Sequence, residues 1–430
     1  MNPRDPITQH GVKDMLPGVA ALSGIKVIDL GRVLAAPFAT QILADLGADV
    51  IKIERPGVGD EARIYGPHFV RHADGSPSAE SGFYVACNRN KRSMTIDLST
   101  KQGQLIVKAL AAKADVLVEN FLPGALGRFG LDYASLAAVN PALIYCSLTG
   151  YGQTGPYKDR PGYDAVFQAF SGLMAVTGHP DEEPGGGPMK IGPSLIDASA
   201  GHYAATAVMA ALLERERLSG LGQHIDISLL DAAVAVQTHA VQNYLLSGEQ
   251  PGRFGNAGNG GHPARTFDCV DGQIYISAGN GKFYKRLCRV IGREDLVHDE
   301  RFLTNALRFE NRKAWDAIVT PIISRWRAKP LLDALIAEGI PASLVNTYDD
   351  LFADEHVIFR ELKQTLPYPQ AESGQISMVA SPLRLSRTPP RIERAPPQQG
   401  VHTAEILRDW LGMEGDEIEA FLTSPNQVVD

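Results

Sequence analysis

The first third of the chain alternates between two kinds of apolar pattern. Short apolar runs, Lys26-Val-Ile-Asp-Leu30 and Asp49-Val-Ile-Lys-Ile53, flank Pro37 to Leu46, where apolar residues recur at helical spacing. Strand, helix and strand in so short a span predict a parallel crossover unit. The pattern returns with Ser93 to Leu98 as strand, Lys101 to Ala114 as helix, Asp115-Val-Leu-Val-Glu119 as strand and Leu143 to Leu148 as strand. This predicts an α/β fold: a large, doubly wound, Rossmann-like sheet covered by helices, with ligands outside the carboxyl ends of its strands. The loops at Arg55, Asn120 and Gly150 occupy those ends.

From Tyr163 the pattern turns helical, and a Pro/Gly-rich loop from His179 to Gly192 leads into a helix predicted over Ala198 to Glu216. A second glycine-rich stretch, Gly255 to Gly261, precedes the Asp271-Gly272 turn and the strand Gln273-Ile-Tyr-Ile-Ser277. The expected organisation is a large domain over 23–220 with 385–430, a smaller α+β domain over 225–350, and an extended linker over 351–384. Residues 1–22 read as an extension, and Thr403 to Leu422 as helical again and rejoining the first domain.

The charge balance narrows the partners. Against 49 Asp and Glu the chain has 41 Lys and Arg, a net charge of −8, which argues against nucleic acid and leaves any anionic ligand to a local basic pocket. Apolar stretches such as Ala204 to Leu213 are too short for a membrane span, and the N-terminus lacks a signal-peptide layout, so the expectation is a cytoplasmic protein without membrane contact. Cys87, Cys146, Cys269 and Cys288 are too dispersed for a zinc or redox motif and too few for a disulfide framework.

Familiar nucleotide and hydrolase signatures are missing. Gly57-Val-Gly59 follows a strand but no third glycine completes the dinucleotide fingerprint, and no Walker A lysine, H-E-x-x-H or G-x-S-x-G occurs. What remains is a set of basic and amide groups at strand ends: Arg55, the run Asn88-Arg-Asn-Lys-Arg92, Asn120-Phe121 and Arg128. Such groups suit phosphates and a nucleobase, although each alone also fits an ordinary surface ion pair. Asp197 stands between Gly192-Pro-Ser-Leu-Ile196 and the small residues Ala198-Ser-Ala-Gly201 that open an apolar helix. By local context it reads first as a helix N-cap; a carboxylate there is also kept ionised by the helix dipole, with room for a substrate to approach, and both readings can hold at once.

Taken together, Gly24-Ile-Lys-Val-Ile-Asp-Leu30, Ala48-Asp-Val-Ile-Lys-Ile-Glu-Arg55 with Gly59-Asp60, Asn90-Lys-Arg-Ser93, Val118-Glu-Asn-Phe121 with Pro123-Gly124, Gly162-Tyr-Asp164, Gly192 to Gly201 and Gly400-Val-His-Thr403 give the chain its identity. It resembles the class III coenzyme A transferases, the formyl-CoA and carnitine CoA-transferase (CaiB/BaiF) family. The resemblance implies that Asp197 is a nucleophile, which takes the acyl group from a donor thioester as a mixed anhydride and then holds CoA as an aspartyl thioester. The acceptor acid reverses these steps. It implies CoA contacts at Arg55, Asn120, Phe121 and Arg128, with Ile96 nearby, and Tyr163 and Asp164 at the thioester end. It further implies a flexible glycine loop at Gly260-Gly261, no metal, no permanently bound cofactor, a CoA thioester and a free carboxylic acid as substrates, and an interlocked homodimer.

Where formyl-CoA transferases carry a glutamine, this chain has Leu34, which favours a larger or less polar acyl group over formyl or oxalyl. A four- or five-carbon dicarboxylate, with succinyl-CoA as donor, is the expected pairing. Two alternatives compete. An α-methylacyl-CoA racemase would pair the aspartate with a histidine, and the matching position here is Tyr163, a poor base near neutrality. A catalytically silent acyl-CoA-binding protein would form no covalent adduct.

Overall fold

The computed structural model describes residues 20–258 and 260–423, so most of the expected 1–22 extension lies outside the described residues. The chain divides into two compact units, one of residues 1–167, 194–236 and 361–430, the other of 168–193 and 237–360.

The first unit is built on a six-stranded sheet. Its elements are β1 (Lys26–Asp29), α1 (Ala35–Asp45), β2 (Asp49–Glu54), β3 (Lys91–Thr95), α2 (Lys101–Ala111), β4 (Val116–Glu119), β5 (Ile144–Thr149), the start of α3 (Asp164–Phe170), whose residues from Gln168 on belong to the second unit, α4 (Leu195–Glu214) and β6 (His224–Ser228). The strand order is β3-β2-β1-β4-β5-β6, and every pair is parallel. In register, Val27 faces Val50 on one side and Val116 on the other. All three are buried, as expected of strands covered on both faces. The helices α1 and α4 pack closely because Gly201 is bare: a Cβ there would lie 2.8 Å from the Ala35 carbonyl oxygen.

β3 is an edge strand, and the late Gly400-Val-His-Thr403 motif covers it. The His402 amide donates to the Ser93 carbonyl at 3.0 Å, and Thr403 Oγ1 accepts the Thr95 amide at 3.2 Å. The tail thus rejoins the large sheet and removes an unpaired edge. Residues 351–384, expected to be an extended linker, instead carry the short helix Glu355–Phe359 and an antiparallel hairpin of Lys363–Pro367 with Gln375–Val379. Alternating burial of Ile376 and Met378 holds that hairpin, a period the prolines around it obscured.

The second unit is smaller than the first and α+β. The strands Ala264–Cys269, Gly272–Ser277 and Ala342–Leu344 form an antiparallel sheet around a core that includes Ile274, Ile276 and Trp315. The expected small domain of 225–350 overlaps this unit only in part: the unit spans 237–360 with 168–193, and residues 225–236 belong to the first unit. Among the described residues no helix is long and apolar enough to cross a membrane.

Candidate active site

The order of the large sheet reverses between β1 and β4. Segments leaving neighbouring strands at such a point diverge and open a crevice. Here they are Gly31 to Leu34 and Asn120-Phe121. Asn120 ties them together: its Oδ1 accepts the Arg32 amide at 2.9 Å, and its Nδ2 donates to the Arg32 carbonyl at 2.8 Å. Only glycine fits at position 31, where a Cβ would lie 2.5 Å from the Ala36 Cβ.

Val33 sits at a φ of 67°, in the left-handed region that a β-branched side chain rarely enters. Asp60 holds it there. The Asp60 Oδ1 accepts the Val33 and Ala62 amides, each at 2.9 Å, and its Oδ2 lies 2.7 Å from Lys52 Nζ. Lys52 also donates to the Gly31 carbonyl at 2.8 Å. Burial works against the Lys52 charge, but Asp60, Asp29 and Glu54 outweigh it and hold the ammonium above its ordinary pKa. A buried ion pair therefore fixes the loop that borders the crevice.

Two cavities share Arg32, Glu61 and Phe121 in their walls. The first, about 400 Å³, gathers Arg55, Ile96, Phe121 and Arg128; the second, about 240 Å³, gathers Leu34, Asn120, Phe121, Tyr163 and Asp197. Arg55 and Arg128 are exposed, and among the described residues neither has an ion-pair partner, which leaves both guanidinium groups for phosphate oxygens. In the shared wall, Arg32 bridges Glu61 at 2.7 Å and lies 4.7 Å over the Phe121 ring.

Asp197 is the third residue of α4 and does not cap it. The cap comes from Asp164, the first residue of α3, whose Oδ2 accepts the amides of Ile196 at 2.7 Å and Asp197 at 3.1 Å. Those are the two positions an N-cap side chain normally serves. Asp164 is thus buried behind the site, turned onto the helix, where the sequence placed it along the thioester. Among the described residues nothing donates a hydrogen bond to the Asp197 carboxylate. Burial, and then the charge of Asp164, push its pKa up to about 7. The expectation that the helix dipole keeps Asp197 readily ionised is overturned, because desolvation and a neighbouring carboxylate both favour the neutral form.

The run Asn88 to Arg92 does not reach these cavities as a clamp. Lys91 is fully buried against Asp29 at 2.8 Å, Arg89 pairs with Asp45 at 2.6 Å, and Arg92 pairs with Asp49, Glu405 and Asp409. Gly260 and Gly261 belong to the second unit, where Asn305 Nδ2 donates to the Gly260 carbonyl at 3.1 Å and its Oδ1 accepts the His262 amide at 3.1 Å. Sequence reasoning missed Arg32 and Glu61. Arg32 lies two residues past the Gly24 to Leu30 motif and Glu61 one past Gly59-Asp60, and a single loop charge has no spacing that marks it. Among the described residues no cluster of three or more His, Cys, Asp or Glu side chains is placed to hold a metal ion.

Comparison with known proteins accords with this geometry. The family model for CoA-transferase family III matches residues 22–403. The chain is 44% identical over 389 residues to succinate–glutarate CoA-transferase of Agrobacterium fabrum, covering 90% of this chain and 95% of that one. It is 38% identical over 406 residues to human succinyl-CoA:glutarate CoA-transferase, covering 94% of this chain and 90% of that one. A crystal structure of a CaiB/BaiF family protein from Brucella suis superposes with a TM-score of 0.81 at 40% identity, covering 91% of this chain and 99% of that one. With a Rossmann-ordered sheet, an acidic nucleophile candidate at its crevice and these relatives, the chain belongs to CoA-transferase family III and is a CoA-transferase.

Proposed function

We propose that the protein moves CoA from succinyl-CoA to a dicarboxylic acid of about five carbons through covalent intermediates on Asp197. The observation that carries this reading is the Asp197 carboxylate, raised to a pKa of about 7, in a cavity that shares a wall with the arginine-bearing one. A half-buried carboxylate set against Asp164 is a stronger base than an exposed one, and acylation removes the charge that made it unfavourable. The same strain that raises the pKa therefore favours the adduct.

In this reading the Asp197 carboxylate attacks the thioester carbonyl and expels CoA thiolate, leaving a mixed anhydride. The thiolate attacks the Asp197 carbonyl and expels the donor acid, leaving an aspartyl-CoA thioester. The acceptor carboxylate attacks that thioester to form a new anhydride and release the thiolate, which then attacks the acceptor acyl carbonyl and frees Asp197. No step consumes ATP, since the thioester's energy is kept throughout. Arg55 and Arg128 hold phosphates, Phe121 the base or pantetheine, and Leu34 and Tyr163 the acyl end. The dicarboxylate choice is supported by relatives named for succinate and glutarate and by Leu34, which leaves an apolar wall. The working form is a homodimer in the cytoplasm, a compartment in which four free thiols persist.

Intact-protein mass spectrometry after incubation with a panel of acyl-CoA thioesters tests the reading. Wild type should gain a CoA adduct, mapped to Asp197 by peptide analysis, with succinyl-CoA and fewer others, and Asp197→Ala should gain none. Exchange of α-protons into a branched acyl-CoA without any adduct would replace this reading by the racemase one.

A further inference from the structure

Glu119 ends β4 immediately before Asn120 and Phe121, and no step above uses it. It is 4% exposed. Its Oε2 accepts the Phe121 amide at 2.7 Å, and the Ser147 hydroxyl on neighbouring β5 donates to the same carboxylate. Ser147 Oγ also lies 3.0 Å from His224 Nε2 on β6. The Ser147 hydroxyl stands between Glu119 on β4 and His224 on β6. Three adjacent strands thus contribute one chain of hydrogen bonds that ends on the backbone of Phe121.

A buried carboxylate is costly unless its oxygens are satisfied and a positive charge faces it. Burial drives Glu119 up to about 7, its Ser147 and Phe121 bonds and the Arg32 charge pull it back, and Asp226 opposes them. The segment that follows, 120–129, separates two cavities. In front is the basic one with Phe121 and Arg128; behind is one of about 300 Å³ lined by Glu119, Tyr133 and His224. Leu126 packs the far end of this segment into the core, while its start is held by the two Asn120 bonds to Arg32 and by the bond from the Phe121 amide to Glu119.

We propose that Glu119 is a positioning residue for CoA binding: by gripping the Phe121 amide between β4 and β5 and facing Arg32, it fixes the Phe121 ring and the Arg32 guanidinium as the wall shared by the two cavities. The inference rests on the reading that the basic cavity takes CoA.

The test is calorimetric titration of the full-length protein with free CoA, alongside steady-state kinetics and the Asp197 adduct measurement. Glu119→Ala should weaken CoA binding by about tenfold while kcat at saturating substrate stays within about threefold. Glu119→Gln keeps an oxygen for the Phe121 amide and should restore affinity to within about threefold, and Ser147→Ala, which leaves that bond but frees the carboxylate from β5, should fall between. Unchanged CoA affinity in Glu119→Ala overturns the inference. Should that variant not fold, equal affinity of Ser147→Ala and wild type overturns it. Wild type that binds CoA but forms no adduct removes the transferase reading and leaves the positioning role intact, whereas an adduct with unaltered CoA affinity in the variants does the reverse. Wild type that binds no CoA removes both.

Discussion

The carboxylate of Asp164 accepts the amide of Asp197 at 3.1 Å, so one acid caps the helix that presents the other. The contact has two consequences of opposite sign. It satisfies two amides at the start of α4 and so fixes the direction in which Asp197 leaves the helix. It also sets a negative charge beside a carboxylate that is already half-buried, which raises the energy of the ionised form. Geometry and basicity of the proposed nucleophile are set by the same neighbour.

Because only ionised Asp197 attacks a thioester, the rate of adduct formation should rise with pH and reach half its maximum near the value of about 7 at which burial and Asp164 hold the free carboxyl. Asp164→Asn keeps an oxygen that can cap the helix but removes the charge, so its midpoint should move to lower pH. Quenched-flow mass spectrometry of the adduct across pH 5 to 9 reads both, with pH 5 and 9 standing about two units either side of that midpoint. A variant midpoint equal to that of wild type would show that burial alone sets the basicity.

The same shift makes Asp197 a liability for the fold. Its folded pKa of about 7 lies above the ordinary aspartate value of 3.8, so the native state binds the proton more tightly than the unfolded chain. Its contribution to stability is fully present below pH 4 or so and is lost as pH rises through about 7. Asp197→Asn should therefore match wild type at low pH and exceed it at pH 8 by about 1–3 kcal/mol. For a chain of this size that is a rise in Tm of about 1–3 °C, measurable by scanning calorimetry at the two pH values.

The parallel strands were legible in the sequence because burial on both faces writes them as unbroken apolar runs: Val116 to Val118 could hardly be anything else. Their order was not, since pairing β1 with both β2 and β4 depends on contacts far apart in sequence. Position also decided the site. Asp197 looked like its own helix cap because the true cap, Asp164, lies 33 residues earlier, and no local spacing announces it. The basic run at Asn88 to Arg92 looked like a phosphate clamp because its acidic partners, from Asp29 to Asp409, come from four other parts of the chain. Sequence shows which charges exist; only the fold shows which are already paired.

Asp60 illustrates how much rests on such a pair. Asp60→Ala would strand the fully buried Lys52 ammonium and release the Val33 amide, so it should cost about 3–5 kcal/mol in urea unfolding. Replacing both charges, as in Asp60→Ala with Lys52→Met, removes the uncompensated ammonium and should recover a large part of that loss. If the double variant is as unstable as the single one, the strained Val33 loop rather than the buried charge carries the cost. Activity separates the two contributions further, since neither variant can hold Val33 at a φ of 67° through Asp60, and both should lose CoA affinity whatever their stability.

Leu34 offers the sharpest test of substrate choice because it lines the Asp197 cavity from the residue just before α1, where its side chain can change without disturbing the sheet. A leucine there presents apolar surface to the acyl group and can make no hydrogen bond with it. Leu34→Gln replaces that surface with an amide that needs polar partners. A small, oxygen-rich acyl group such as formyl or oxalyl can satisfy it, while the methylenes of a succinyl group cannot. The variant should lose about 10- to 100-fold in kcat/KM for succinyl-CoA and gain relative to wild type with formyl-CoA or oxalyl-CoA, so that the ratio of the two kcat/KM values moves by more than either alone. The ratio is the decisive readout, since damage to folding lowers both rates together and leaves it unchanged. A Leu34→Gln enzyme with the wild-type ratio would mean that the acyl group is chosen by other walls of the cavity, Tyr163 first among them.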